Sequence, residues 1–251
     1  MKIATFNIRS TWKGKDSLND FIHRVGLIYD KIQSEKPDVI AFQEIIVPQL
    51  ELLQKMLPEY EFFGSFREND YSKEGLFTAI KKDSVALMGG EIFWMSPTPF
   101  LAGSKFEHQK FPRVCIMCKI RNKATHEIFR VYNVHLDNKS EKARCLGLSY
   151  LFNVIDEYDR KEKIPTVLLG DFNARPHTEE MKMCYDRSDF TDVSTDIKTT
   201  FHGFGKTECK IDYIFVTDEW KNRTVETVAW TDSNEGIYLS DHYPVCLEIK
   251  D

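Results

Sequence analysis

This 251-residue chain predicts an α/β sandwich, on three observations. Strand-like apolar runs and helix-spaced stretches take turns near both ends. A long middle, from about residue 60 to 134, reads mostly as strands and turns. Several strands also end in acids or amides instead of apolar residues. A pure doubly wound sheet would alternate throughout.

The first element is a strand over residues 2 to 8. Leu18, Phe21, Ile22, Val25, Ile28 and Ile32 then recur at helical spacing behind Asp16 or Ser17 as a cap, and Pro37 stops that helix. DVIAFQE is a buried-type strand, and Pro48 can open a short helix at its first position. In the middle, Gly89-Gly90 marks a bend and Ser96-Pro97-Thr98-Pro99 a loop, while Phe106 to Pro112 leads into a strand from Val114 to Ile120. A second helix pattern covers about 140 to 158. The strand VLLGDFN follows, with late strands over 211 to 216 and 244 to 249.

Composition sets the outer limits. With 42% hydrophobic and 29% charged residues, and no linker-like or low-complexity run, one domain over residues 1–251 is expected. A net charge of −5 argues against holding nucleic acid on a broad basic face, but leaves room for a local anion site. The start lacks a secretory apolar region and no run approaches the roughly 18 residues of a span, so a cytoplasmic protein without membrane spans is expected. The six cysteines read as reduced thiols. Cys115 and Cys118 form one C-x-x-C inside a strand pattern, and no second pair completes a zinc set. Oligomeric state is left open.

An internal echo links the two ends. IATFNIR, helix, DVIAFQE parallels IFRVYNVHLD, helix, TVLLGDFN, with nearly equal separations from Asn7 to Glu44 and from Asn133 to Asp171. Two such β-α-β units would put all four polar residues at carboxyl ends of strands, where α/β sheets usually place their sites. Strand-helix-strand units of this length are common, so the echo alone is only suggestive.

The last strands add to it. KIDYIF sets Asp212 among Ile and aromatics, and LSDHYPV places Asp241 beside His242 before a buried strand. A buried carboxylate costs several kcal/mol unless it is paired or bound to a cation. Taken singly, Asp171 could cap a turn, Asp212 could pair with Lys210, and Asp241-His242 could be a turn before Pro244. Glu44, Asp171, Asp212 and Asp241 together, with His135 and His242, form an oxygen-rich set suited to Mg²⁺ or Mn²⁺ rather than zinc.

TFNIR, DVIAFQE, YNVHLD, LLGDFNARP, TTFHGF, KIDYIF and SDHYPV, in this order from residue 5 to 245, resemble the motif series of the endonuclease/exonuclease/phosphatase superfamily, the deoxyribonuclease I-like fold. FWMSPTP and FPRVC further resemble its small bacterial members. The resemblance implies a four-layer α/β/β/α sandwich of two packed mixed β-sheets with helices on the outer faces, and metal-dependent phosphate-ester cleavage. By it, Glu44 is the main Mg²⁺ ligand (Mn²⁺ serving as well), Asn7 shapes the ion's surroundings, and Asp241 completes the metal shell. Asp171 orients or deprotonates water, Asn173 holds phosphate or water, and His135 contacts phosphate. His242, charged, stabilises the transition state with Asp212 setting its tautomer and raising its pKa; whether Asp171 or His242 is the base is left open.

Arg113, His202, Tyr71 and Lys105 are the candidate substrate contacts, because their loops lie near motif strands in the family pattern. An exposed salt-bridge role for Arg113 is the alternative. Without a long basic segment or interleaved stacking aromatics, the expected function is a divalent-metal-dependent phosphoesterase acting on a diester or monoester of a small or lipid-like substrate. A nuclease is the alternative; a catalytically silent binding protein fits less well, having no use for clustered buried acids.

Overall fold

Two six-stranded mixed sheets pack face to face in the computed structural model, which describes residues 1–250. The first half supplies β1 (Lys2–Asn7), α1 (Phe21–Glu35), β2 (Val39–Ile45), α2 (Val47–Met56), β3 (Tyr60–Phe66) and β4 (Gly75–Lys81). After β5 (Val85–Trp94), β6 (Val114–Asn122) and β7 (Ile128–His135) come α3 (Glu141–Lys161), β8 (Thr166–Asp171), α4 (Glu179–Tyr185) and β9 (Phe190–Asp192). The chain closes with β10 (Asp212–Thr217), α5 (Asp218–Lys221), β11 (Thr224–Ala229), the small hairpin of β12 (Ser233–Asn234) and β13 (Ile237–Tyr238), and β14 (Val245–Ile249). Strand order is β11-β14-β1-β2-β4-β3 in the first sheet and β5-β6-β7-β8-β10-β9 in the second.

Period-two alternation divides the apolar residues among three buried layers. Ile3, Val39 and Ala41 of the first sheet meet Val131, Val167, Leu169 and Ile214 of the second between the sheets. Ala4, Phe6, Ile40 and Phe42 face the other way, onto Phe21, Ile28 and Ile32 of α1. Tyr132, Leu168 and Phe215 face Leu148, Leu151 and Ile155 of α3, completing the α/β/β/α sandwich. The same alternation separates Cys115, which faces the α3 layer, from Cys118, which faces the inter-sheet layer; all six cysteines are free. No helix is long and apolar enough to cross a membrane among the described residues.

Several local expectations need correction. Asp16 and Ser17 do not cap α1: the Asp16 carboxylate accepts from Arg9 and Thr11, and the helix starts at Phe21, after a short turn. Asp20 ties the preceding loop instead, accepting from the amides of Gly14, Lys15 and Asp16, and this leaves Leu18 exposed rather than on the core face. Pro48 stands second in α2, after Val47. The register shift within the continuous strand β5 falls between Leu87 and Gly89, so Gly89-Gly90 follows a bulge at Met88 and does not end an element.

The β-α-β echo holds in topology, since β1 pairs parallel with β2 and β7 with β8, but it fails at Asn133. Asn133 is fully buried between the sheets, opposite Leu169, where its Oδ1 accepts from Gln43 Nε2 at 2.8 Å and its Nδ2 donates to the Phe42 carbonyl at 3.1 Å. It pins one sheet to the other instead of facing a site. Each bond contributes only about 1 kcal/mol net, yet an unpaired buried amide would cost about 1–3, so the pairing favours one sheet alignment over slipped ones.

Gly170 adapts β8 just before its terminal acid. Its φ is +146°, and an added Cβ would lie 2.0 Å from the Val134 carbonyl oxygen on the neighbouring strand. Gly89 has open space at the same point. Gly170→Ala should therefore lower unfolding stability by at least about 2 kcal/mol, while Gly89→Ala should stay within about 0.5 kcal/mol of wild type in urea titrations. Equal midpoints for the two variants would remove the steric role of Gly170.

Candidate active site

Strand direction gathers the polar residues at one end of the sandwich. β1, β2, β7 and β8 deliver their carboxyl ends there, carrying Asn7, Glu44, His135 and Asp171. β10 runs antiparallel to β8, so its first residue, Asp212, stands opposite Asp171. β14 runs antiparallel to β1 and brings Asp241 and His242, just ahead of it, to the same end. Antiparallel pairing of β4 with β2 sets Gly75 opposite Ile45, which puts Glu74 beside Glu44.

Asp171 is the focus, only 1% exposed. Its Oδ2 accepts from Asn7 Nδ2 at 2.9 Å and lies 3.5 Å from His135 Nε2 and 3.9 Å from His242 Nε2; its Oδ1 accepts from the Asn173 amide at 2.8 Å. Burial and the nearby Asp212 charge push the Asp171 carboxyl up to about 7, against the opposing pull of His242. His242 Nδ1 pairs with Asp212 Oδ2 at 2.9 Å. Burial alone would lower the imidazole, but Asp212, Asp171 and Asp241 outweigh it and push His242 up to about 10. His135 goes the other way, held well below its ordinary value by burial and by the charges of Arg113 and Arg67.

A second acidic group lies alongside. Glu44 Oε2 accepts from the Ser10 amide and hydroxyl, both at 3.0 Å, and the same hydroxyl reaches Glu74 Oε2 at 3.0 Å. Burial would raise the Glu44 carboxyl; the Ser10 amide, His242 and Arg9 more than offset this and hold it below its ordinary value. Glu74 is raised by burial and by the Glu44 charge, and it pairs with Arg67. Glu44 adopts a left-handed backbone (φ +63°) at a register shift in β2, and Asn173 another (φ +50°). Such conformations cost a non-glycine residue of order 1–3 kcal/mol, and here both turn a polar side chain toward the cleft.

Two clusters have the spacing a cation needs. One ligand atom from each of Glu44, Glu74 and His135 lie within 4.8 Å of one another, and so do those of Asp171, Asp212 and His242. The second cluster is already closed by the Asp212–His242 bond. The first fits a divalent ion better: it sets two carboxylates side by side next to a neutral imidazole, and the buried His135 Nδ1 has no hydrogen-bond partner.

The other expected residues fall in different places. Asp241 lines the cleft 3.5 Å from Arg9 Nε, its carboxyl raised by burial and by Glu44. Asn7 ties the site together: its Nδ2 bridges Asp171 and Glu44, and its Oδ1 accepts from the Arg9 amide. Asn173 donates to the Leu136 carbonyl, and Arg113 lines the cleft, 3% exposed. His202, Tyr71 and Lys105 do not line it. The His202 ring stacks on Tyr243 at 4.0 Å while its amide holds the Asp241 carbonyl, Tyr71 is 63% exposed, and Lys105 donates to Lys110.

Sequence reasoning passed over Glu74, Ser10, Arg9 and Arg67. Only the β2–β4 register reveals Glu74; Arg9 and Ser10 follow directly on the TFNI strand and could have been taken from that position. The cleft measures about 380 Å³. A hollow of about 400 Å³ at the opposite sheet end, beside Lys163 and Asp218, contains no comparable convergence.

Similarity to known proteins follows the same geometry. The mannosyl-6-phosphatase of Bacteroides thetaiotaomicron VPI-5482 superposes with a TM-score of 0.89 at 25% identity, covering 100% of both chains. A conserved protein of unknown function from Enterococcus faecalis V583 gives 0.89 at 27%, covering 100% of this chain and 99% of that one. The catalytic domain of human Nocturnin, with bound sulfate, shares the fold at 17% identity with a TM-score of 0.76, over 98% and 92% of the two chains. The sequence model of the Endonuclease/Exonuclease/phosphatase family matches residues 4–242, and this chain therefore belongs to that family.

Proposed function

We propose that this protein hydrolyses a phosphate ester of a small or lipid-like molecule with the help of a divalent cation, Mg²⁺ or Mn²⁺. One observation carries the reading: Asp171 Oδ2, at the floor of the cleft, meets Asn7, His135 and His242 beside the Glu44–Glu74–His135 cluster. A bound cation would neutralise phosphate charge and stabilise the leaving oxygen. Glu44, Glu74 and His135 would hold it, with Asp241 beside them.

Asp171 takes the proton of the attacking water. Its raised pKa keeps it basic enough for that work near neutral pH, and Asn7 and Asn173 fix the carboxylate's orientation. His242 remains protonated and donates to a phosphate oxygen, with Asp212 holding its far nitrogen. This division of labour favours Asp171 over His242 as the base, because a charged imidazole cannot accept a proton. A cleft of about 380 Å³ suits a compact substrate. The name of the Bacteroides relative, a mannosyl-6-phosphatase, supports a small phosphate ester in particular.

Purified protein should cleave at least one member of a metal-supplemented panel of sugar phosphates, inositol phosphates, nucleotides, phospholipid head groups and nucleic acids. Steep loss of turnover with salt on nucleic acid alone would favour a nuclease instead. Asp171→Asn and His242→Gln should each reduce turnover at least ~100-fold with the circular dichroism spectrum unchanged; near-wild-type rates in either would remove that residue from the mechanism. EDTA should abolish activity and Mg²⁺ or Mn²⁺ restore it, and Glu44→Gln should weaken metal binding measured by calorimetry by at least ~10-fold. Activity that survives exhaustive chelation would exclude the metal.

A further inference from the structure

Arg67 and Arg113 stand on opposite sheets, one just after β3 and the other just before β6, yet both line the cleft. Two consecutive residues at the end of β5 bracket them. Trp94 Nε1 donates to the Arg67 carbonyl and the Met95 amide to the Arg113 carbonyl, both at 2.8 Å. Arg67 is 6% exposed and Arg113 3%, so neither cation is solvated as a surface arginine would be.

Few groups touch them directly, although Glu74, Asp137 and Asp171 face Arg113 through space. Arg67 pairs with Glu74, and its guanidinium lies over the Phe111 ring, 4.3 Å from the centroid. Arg113 has no ion pair and no side-chain hydrogen bond among the described residues, and the Nε of each arginine is buried without a partner. A guanidinium presents five donors in a planar fork that matches the oxygens of a phosphate. Burying one unpaired beside a second is costly, and an arriving anion is the natural compensation.

We propose that Arg67 and Arg113, backed by Phe111, form a clamp for the terminal oxygens of a doubly charged phosphate, which makes the preferred substrate a phosphomonoester and not a diester. This deepens the phosphoesterase reading and rests on it. Two forks can address the three terminal oxygens of a monoester dianion. A diester has one negative charge and two such oxygens, and its second substituent would have to leave the clamp by another path.

The test is calorimetric titration of Mg²⁺-loaded protein with methyl phosphate and with dimethyl phosphate. Wild type should bind methyl phosphate at least ~10-fold more tightly. Arg113→Met and Arg67→Met should each weaken methyl phosphate at least ~10-fold while changing dimethyl phosphate less than ~3-fold. Arg113→Lys and Arg67→Lys, which keep the charge and protect the fold, should fall between, because they lose the planar fork. Equal affinity of wild type for the two ligands, or parallel losses for both in the variants, overturns the clamp. The two readings fail separately. Retained methyl phosphate preference in a protein inactive on every phosphate ester would sink hydrolysis, and diester-only turnover would sink the clamp while leaving hydrolysis standing.

Discussion

A single bond across the two sheets, from Asn7 Nδ2 of β1 to Asp171 Oδ2 of β8, is the contact on which the site depends. An ionised carboxylate that is 1% exposed would be expelled or protonated unless several donors converged on it. The donors come from both sheets, so the carboxylate is satisfied only when the sheets are correctly aligned. Gln43 and Asn133 enforce the same alignment deeper in the layer. Bulk apolar packing would tolerate small slips, whereas these directional bonds do not.

The same enclosure moves two histidines in opposite directions. His242 sits among Asp212, Asp171 and Asp241 and keeps its proton; His135 faces Arg113 and Arg67 and loses its own. Burial disfavours the charged form of both, so neighbouring charge alone decides the difference. One fold thus supplies a cationic donor and a neutral imidazole on either side of Asp171. Asp212 makes the arrangement durable, since its bond to Nδ1 leaves Nε2 directed at the Asp171 side.

Much of this was legible in the sequence, and the rest was hidden for identifiable reasons. Apolar runs in β1, β2 and β8 placed the core, acids at the ends of apolar strands marked Glu44 and Asp171, and an acid set among Ile and aromatics marked Asp212, because a buried carboxylate needs a partner. Asn133 resembled Asn7 in the linear pattern but stands opposite Leu169, inside the layer, while His135 stands opposite Asp171. Periodicity identifies a strand's face and does not fix how far a residue lies from the strand's working end. Glu74 and Arg67 were invisible for a related reason: both flank the β3–β4 pair, and only antiparallel register carries them to Glu44. His202, picked out by its motif, instead stacks on Tyr243 and holds the loop that carries Asp241.

Charge operates on two length scales in this molecule. The chain as a whole carries −5, while Arg9, Lys15, Arg67 and Arg113 line one cleft of about 380 Å³ together with Glu44, Glu74, Asp171 and Asp241. At physiological ionic strength charges more than about 8 Å apart are largely screened, so a charge inside the cleft is governed by these lining groups of both signs and scarcely by the charges elsewhere on the chain. An interleaved lining of this kind matches the pairing of a cation with a phosphate put forward above, because each bound charge would offset the repulsion the other meets.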